Sequence, residues 1–304
     1  MNKNQQIERI KRIAQNVLSL PALPTIIAKM IELIDNPRTS ASQLTKLIST
    51  DQVLTAKILK LANSAFYGFP RRIGTVNLAI VVLGFDTIKD LGLSVSIIDR
   101  FKQRDTNSSF DMSRFWEHSI ACGVIAKLLA RNVRIRITGE MFVAGLLHDI
   151  GKLVLSQYFS KEFEEISDRI LQYGESFHQA EHKVLGTGHA VIGSWLAEKW
   201  NLPAQLVETI AFHHDPENAP AHSQIAAVIQ FADYLCKWRG IGYSGDSVIP
   251  QICESTVQLL NVRMKDDGID SDYYIEMVDG ELEKAETFIN LIQGKQVPER
   301  THIE

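Results

Sequence analysis

The chain has 304 residues, of which 45% are hydrophobic and 22% charged, with 18 glycines and 9 prolines; this globular balance excludes a disordered or low-complexity protein. Net charge is −4 but uneven: residues 1–100 carry 13 Lys/Arg against 7 Asp/Glu, and residues 245–304 carry 5 against 13. No Lys/Arg run exceeds a pair such as Arg71-Arg72, and the longest charge-free stretch, Ile13 to Ala28, is 16 residues and interrupted by proline, so neither nucleic acid nor a membrane is an expected partner. Three cysteines, Cys122, Cys236 and Cys253, form no C-x-x-C pair, and a reducing, cytoplasmic setting is expected.

Along the chain, apolar residues recur at helical spacing and almost nothing alternates with period two. Ile26, Ile27, Met30, Ile31 and Ile34 make an i, i+3/i+4 stripe that predicts a helix over 24–34. Asp51 is placed to cap a helix over 52–62, with Leu54, Ile58 and Leu61 facing inward. Asn36-Pro37 and Gly68-Phe69-Pro70 read as turns. The run Ile80-Val81-Val82-Leu83 is compatible with a short strand but too brief to decide. Further helices are predicted over 85–102, 111–131, 138–156, 160–173, 188–200, 203–213, 222–239 and 271–292. The polar stretch Lys102 to Ser109 is the best boundary. An all-α protein follows, divided into an N-terminal helical part (1–105), a helical core (106–240) and an acidic C-terminal helical extension (241–304).

Seven of the nine histidines lie between His118 and His214. His148-Asp149 ends the uncharged run Met141 to Leu147, with Lys152 three residues on, and Asp233 stands among apolar neighbours in Ile229 to Tyr234. A carboxylate in apolar surroundings needs a partner to offset desolvation; a salt bridge or a helix cap serves, and so does a metal ion. His118 sits mid-helix, His189 opens a helix, and His213-His214 closes one. Imidazole and carboxylate donors with few thiols suit zinc, iron, manganese, nickel or cobalt. His118, His148, Asp149 and Asp233 are enough for one ion, and His189, His213 and His214 would complete a second. Two ions ~3.5–4 Å apart sharing a carboxylate form the clamp used in phosphoester hydrolysis. His178, His182, His222 and His302 are set aside as non-ligands, His182 with the least certainty of place because it is near His189.

The order His118, His148-Asp149, Asp233 resembles the H…HD…D signature of the HD superfamily of metal-dependent phosphohydrolases. His148-Asp-Ile-Gly-Lys152, followed by His189, His213-His214 and Asp233, is similar to the fuller HD-GYP pattern. That resemblance implies two or three metals on these residues, with iron or manganese ahead of nickel or zinc, and a phosphate contact from Lys152 beside catalytic Asp149. The Gly-Tyr-Pro segment is missing, however: Asp215-Pro-Glu-Asn-Ala-Pro220 stands in its place, and Gly242-Tyr243 is followed by serine. In the N-terminal half, Leu20-Pro-Ala-Leu-Pro24, Ile48-Ser-Thr-Asp51, Leu59-Lys-Leu-Ala-Asn63-Ser-Ala-Phe-Tyr67-Gly68 and Ala79 to Gly84 look like the HDOD family, the HD-related output domain of bacterial signal transduction. The resemblance runs from about residue 16 to about 240. It implies an all-helical regulatory module with signalling proteins as partners. This chain differs from many members in keeping every candidate ligand.

Two functions are therefore expected in competition. One is a signalling output module with a structural or sensory metal centre, acting through protein contacts. The other is a metal-dependent phosphohydrolase or phosphodiesterase with a phosphate-containing ligand. Asn63, Ser64 and Gly68 suit a helix end and turn, and Phe66, Tyr67 and Phe69 either pack the N-terminal part onto the core or offer a binding surface.

Overall fold

Helix follows helix through the chain in the computed structural model, which describes residues 3–20, 22–102, 110–133, 140–266 and 268–293. Among the described residues the strands are confined to a two-residue hairpin, β1 (Met264–Lys265) with β2 (Gly268–Ile269). The all-α expectation is met. No helix of the described residues is long and apolar enough to cross a membrane.

The first helix, α1 (Lys3–Ser19), does not join the helices that follow it in sequence. Five of these, α2 (Thr25–Asp35), α3 (Ala41–Ile48), α4 (Gln52–Ala62), α5 (Val76–Leu83) and α6 (Phe85–Lys102), pack around one apolar centre. Its buried stripes include the predicted ones, Ile27, Met30 and Ile31 on α2 and Leu54, Ile58 and Leu61 on α4. Asp51 caps α4 by accepting from the Leu54 amide at 2.9 Å. The Ile80–Leu83 run is helical, not a strand. Thr75 Oγ1 accepts from the Leu78 amide, Gly84 ends the helix at φ +85°, and between them eight residues close one short helix.

The second group comprises α7 (Met112–Asn132), α8 (Met141–Leu147), α9 (Ile150–Tyr158), α10 (Ser160–Tyr173), α11 (Phe177–Leu185), α12 (His189–Lys199), α13 (Ala204–Phe212) and α14 (Ser223–Arg239). The single helix expected over 138–156 is two helices, interrupted at His148-Asp149; residues 138–139 lie outside the described chain. Apolar residues continue across the interruption, so periodicity alone carries no sign of it. The boundary stretch at 103–109 and the C-terminal residues from 294, with His302, also lie outside the described residues. Helix α1 packs here, on α12 and α11, with Ile13 and Val17 fully buried. Arg9 Nη1 donates to the Val184 carbonyl at 2.6 Å, and Arg12 pairs with Glu162.

The extension adds α15 (Glu254–Leu260) and α16 (Ser271–Gln293). Helix α16 lies along α7 and reaches both α14 and α4. Its Phe288 is fully buried and meets the rings of Phe66 at 5.4 Å, Tyr67 at 6.3 Å and Phe142 at 5.7 Å. Phe66 and Tyr67 thus pack onto the rest of the molecule through the C-terminal helix, whereas Phe69 is exposed. Asn63 itself acts as a backbone substitute: its Nδ2 donates to the Leu59 and Ile73 carbonyls, and its Oδ1 accepts from the Ile73 amide at 2.8 Å. That clamp closes the turn between α4 and α5.

Asp90 of α6 is 2% exposed, and neither carboxylate oxygen has a hydrogen-bond partner. Burial pushes its carboxyl well above the usual range, opposed by Lys127 and Lys89. A raised folded-state value means that stability is full below the unfolded carboxylate value of ~3.9 and falls as pH rises through the folded one. Asp90→Asn, which cannot ionise, should therefore gain in melting temperature over the wild type as pH is raised from 4 toward 8 (roughly the span above the ordinary carboxylate value). Parallel melting curves across that range would refute the assignment.

Candidate metal centre

Four imidazoles are presented alike. His148 Nδ1 donates to the Gly145 carbonyl at 2.6 Å, His213 Nδ1 to the Ile210 carbonyl at 2.8 Å, and His118 Nδ1 faces the Ile241 carbonyl at 3.4 Å. His189 Nδ1 lies 2.8 Å from Glu181 Oε1. An oxygen on Nδ1 fixes the tautomer that leaves Nε2 as a lone-pair donor, the arrangement usual for histidines that bind metal. All four Nε2 atoms turn toward one buried region, where two groups form. The donor atoms of His118, His148 and Asp233 lie within 4.8 Å of one another, as do those of Asp149, His189 and His213.

Asp149 stands between them. Its Oδ2 is 3.4 Å from His148 Nε2, while its Oδ1 is 2.9 Å from His189 Nε2 and 3.8 Å from His213 Nε2. The interruption between α8 and α9 makes this possible, because His148 ends one helix and Asp149 opens the next. Helices α9 and α12 also run almost backbone to backbone. A Cβ on Gly151 would fall well inside contact distance of the His189 carbonyl oxygen, 2.8 Å from its carbon and 2.9 Å from the Gly193 nitrogen.

His118 Nε2 and Asp233 Oδ1 are 3.0 Å apart, yet these atoms and His148 Nε2 are buried with no partner in hydrogen-bond geometry. Buried polar atoms are rarely left so without an ion or a water to meet them. The donor set therefore fits divalent transition metal, with imidazole nitrogen and carboxylate oxygen together. Electrostatics agree in part. Against burial, Lys237 and His118 hold the Asp233 carboxyl well below its usual range, and His148, Lys152 and His189 do the same for Asp149. Burial and neighbouring imidazoles push His213 and His214 down, toward the neutral form a ligand needs, whereas, against burial, Asp149 pushes His148 up and Glu181 pushes His189 up, toward a proton that a metal would displace.

The remaining sequence candidates divide. His214 is half-buried on the outer flank, its Nε2 3.1 Å from His189 Nε2. Lys152 is 2% exposed, donates to Asp149 Oδ2 at 2.7 Å and lies over the Phe177 ring. His222 is elsewhere, 3.0 Å from Glu208. Asp215 and Glu217 are exposed around a short 3-10 turn, Pro216–Asn218.

Several contributors were not foreseen from sequence. Glu181 is fully buried and accepts from both the ring and the backbone amide of His189. A carboxylate on the Phe177, Ala180, Val184 face of a helix was the available sign. His178, set aside in the sequence, lies with His189 and His214 and also with Glu181 and His182. The segment after α14 closes over α7: the Tyr243 amide donates to the Arg114 carbonyl at 3.0 Å, and Arg114 donates to the Gly242 carbonyl. At Gly242, φ is +65° and a Cβ would lie 2.8 Å from His118 Cα, so only glycine lets this strap approach. Asp246 secures it, accepting from the Phe177 and Val248 amides and from Lys237.

Comparisons with known proteins agree with this architecture. An uncharacterized protein of Treponema pallidum is 25% identical over 253 residues, 83% of this chain, which spans 48% of that relative. A ribonuclease Y of Pelobacter propionicus is 30% identical over 166 residues, 53% of this chain and 25% of the relative. The crystal structure of an HDOD domain protein of unknown function from Geobacter sulfurreducens superposes with a TM-score of 0.77 at 27% identity, covering 92% of this chain and 97% of that one. The HDOD domain family itself matches residues 20–216, from the end of α1 through the paired histidines, and the chain belongs to that family.

Proposed function

We propose that the protein is a signal-transduction output module whose buried HD-type centre holds two divalent metal ions, iron or manganese before nickel or zinc, and that it acts through protein contacts. The observation that carries this reading is a donor set both converged and closed. His118, His148, Asp149, His189, His213 and Asp233 are each 5% exposed or less, while Asp149 directs one oxygen to each group. Lys152, the group that would meet a substrate phosphate, is instead held by Asp149 over the Phe177 ring. The signalling role and partners rest on the likeness to the HDOD family.

Hydrolysis is the second reading, favoured by the two adjoining groups and by the ribonuclease Y relative. In such a site the metal supplies Lewis acidity toward phosphoryl oxygen. His189 and His148 are oriented by Glu181 and the Gly145 carbonyl, and the strap at Ile241 to Gly245 excludes water from His118. A large phosphodiester also has to be positioned for attack. Exposed Asp215 and Glu217, which stand where Gly-Tyr-Pro is absent, would repel it.

Metal analysis of protein purified without added metal, beside an activity screen, distinguishes the two. About two ions per chain (the pair such a clamp holds) and no measurable cleavage of cyclic dinucleotides or RNA are expected. Rapid metal-dependent cleavage, abolished by Asp149→Asn, would move the protein to the enzyme class.

A further inference from the structure

The rings of six histidines form one continuous series from the surface to the deepest ligand. His182 is exposed and His178 is 33% exposed at its side chain, while His213 and His118 are 1% and His148 fully buried. Ring centroids are 4.6 Å apart for His182 and His178, 4.2 Å for His178 and His214, and 4.1 Å for His214 and His213. The series continues at 5.1 Å from His213 to His148 and 5.6 Å from His148 to His118.

Its outer end has the features of a ligand site. His178 and His182 are four residues apart on α11, so their rings share one helix face, the spacing by which two histidines chelate one ion. Gly188 leaves room for that face: a Cβ there would lie 3.0 Å from His182 Nε2 and 2.6 Å from Glu181 Oε1. His178 Nδ1 is a buried atom that lies 3.4 Å from Glu181 Oε1 without hydrogen-bond geometry; the donor atoms of His178, Glu181 and His182 lie within 4.8 Å of one another, as do those of His178, His189 and His214. Exposed Asp215 follows His214 and acts electrostatically on His182, a negative charge suited to drawing a cation. A single 3.4 Å pair with Glu181, which already serves His189, does not account for three adjoining imidazoles at the mouth of the buried centre.

We propose that His178 and His182, with Glu181 between them on α11, form an outer divalent-metal site that captures ions from solvent and passes them inward through His214 along the histidine series. The passage inward rests on the reading that the buried centre holds metal; the outer site does not. Transition ions such as iron, cobalt, nickel or zinc fit an imidazole-rich donor set better than magnesium or calcium. Transfer needs no covalent chemistry, only exchange of one imidazole for the next.

Two measurements on the full chain test it, with Co2+ alone as the absorbing probe. In stopped-flow loading of metal-stripped protein, His178→Ala/His182→Ala should fill the buried centre to the wild-type extent about tenfold or more slowly, one to two decades being the usual effect of altering groups around a metal site. An unchanged loading rate would overturn the proposal. In the second, the buried centre is disabled by His148→Ala/Asp149→Ala/Lys152→Met, which takes one donor from each buried group and removes the lysine charge with its partner. One weaker cobalt equivalent should remain at the outer site, and adding His178→Ala/His182→Ala should abolish it. Absence of that equivalent, or its survival without His178 and His182, also overturns the proposal. Stoichiometry of the wild type separately decides whether the buried centre loads.

Discussion

A Gly151→Ala variant should melt far below the wild type and take up no metal in the buried centre, although it adds one methyl group. The new Cβ would meet backbone, the His189 carbonyl and the Gly193 nitrogen, not a side chain that can turn aside. Overpacking of this kind typically costs 1–3 kcal/mol, and about the upper end or beyond is expected where both surfaces are helix backbone. Relief requires α9 and α12 to separate, which moves Asp149 from the His189 nitrogen 2.9 Å away. Stability and metal content are therefore lost together. Gly280→Ala on α16, where a Cβ meets nothing within 4 Å, is the control and should hold or slightly raise the melting temperature. Calorimetry with metal analysis reads both. Equal melting temperatures and metal contents for Gly151→Ala and wild type would dismiss the close helix approach as the device that sets the centre.

Asp149→Ala should be the most damaging substitution of a ligand, and it should act even before metal is added. Removing the carboxylate leaves Lys152, 2% exposed, as a charge without its 2.7 Å partner. Breaking one side of a buried pair costs about 3–5 kcal/mol, and replacing both members by apolar groups recovers much of it. Asp149→Ala/Lys152→Met should accordingly melt above Asp149→Ala alone. A chelator should lower the melting temperature of the metal-loaded wild type and move that of Asp149→Ala much less, because only a bound ligand adds linkage stability. His148, Lys152 and His189 hold the Asp149 carboxyl well below its usual range. Its contribution in the metal-free chain is thus present above the ordinary carboxylate value and lost as pH falls through the lowered one. Additive melting shifts for the two single substitutions would show that the pair is not coupled.

How much of this was legible in the sequence differs by kind of signal. Local patterns were faithful: the Asp51 cap, the stripes of α2 and α4, and the spans of α6, α7, α10 and α14 all follow from periodicity and capping residues. The ligand-type residues were also visible, because carboxylates and imidazoles among apolar neighbours demand partners. What was hidden is long-range. The interruption at His148-Asp149 lies within unbroken hydrophobic spacing, and Ser40 and Ser176 cap α3 and α11 with Gln43 and Gln179 in boxes that were not read. With α11 unread, Glu181, His178 and His182 had no helix face on which to be placed. Nor does any local pattern tell that α1 leaves its sequence neighbours for α12, or that the Ile241 carbonyl comes back to His118.

Phe288 has a wider consequence. Family membership is recognised over residues 20–216, yet this ring lies 72 positions beyond that limit and fills the space between Phe66, Tyr67 and Phe142. A chain cut at the family limit would expose those three rings to water and strip the Ile241 carbonyl from His118. The cooperative unit of folding is therefore larger than the unit of descent.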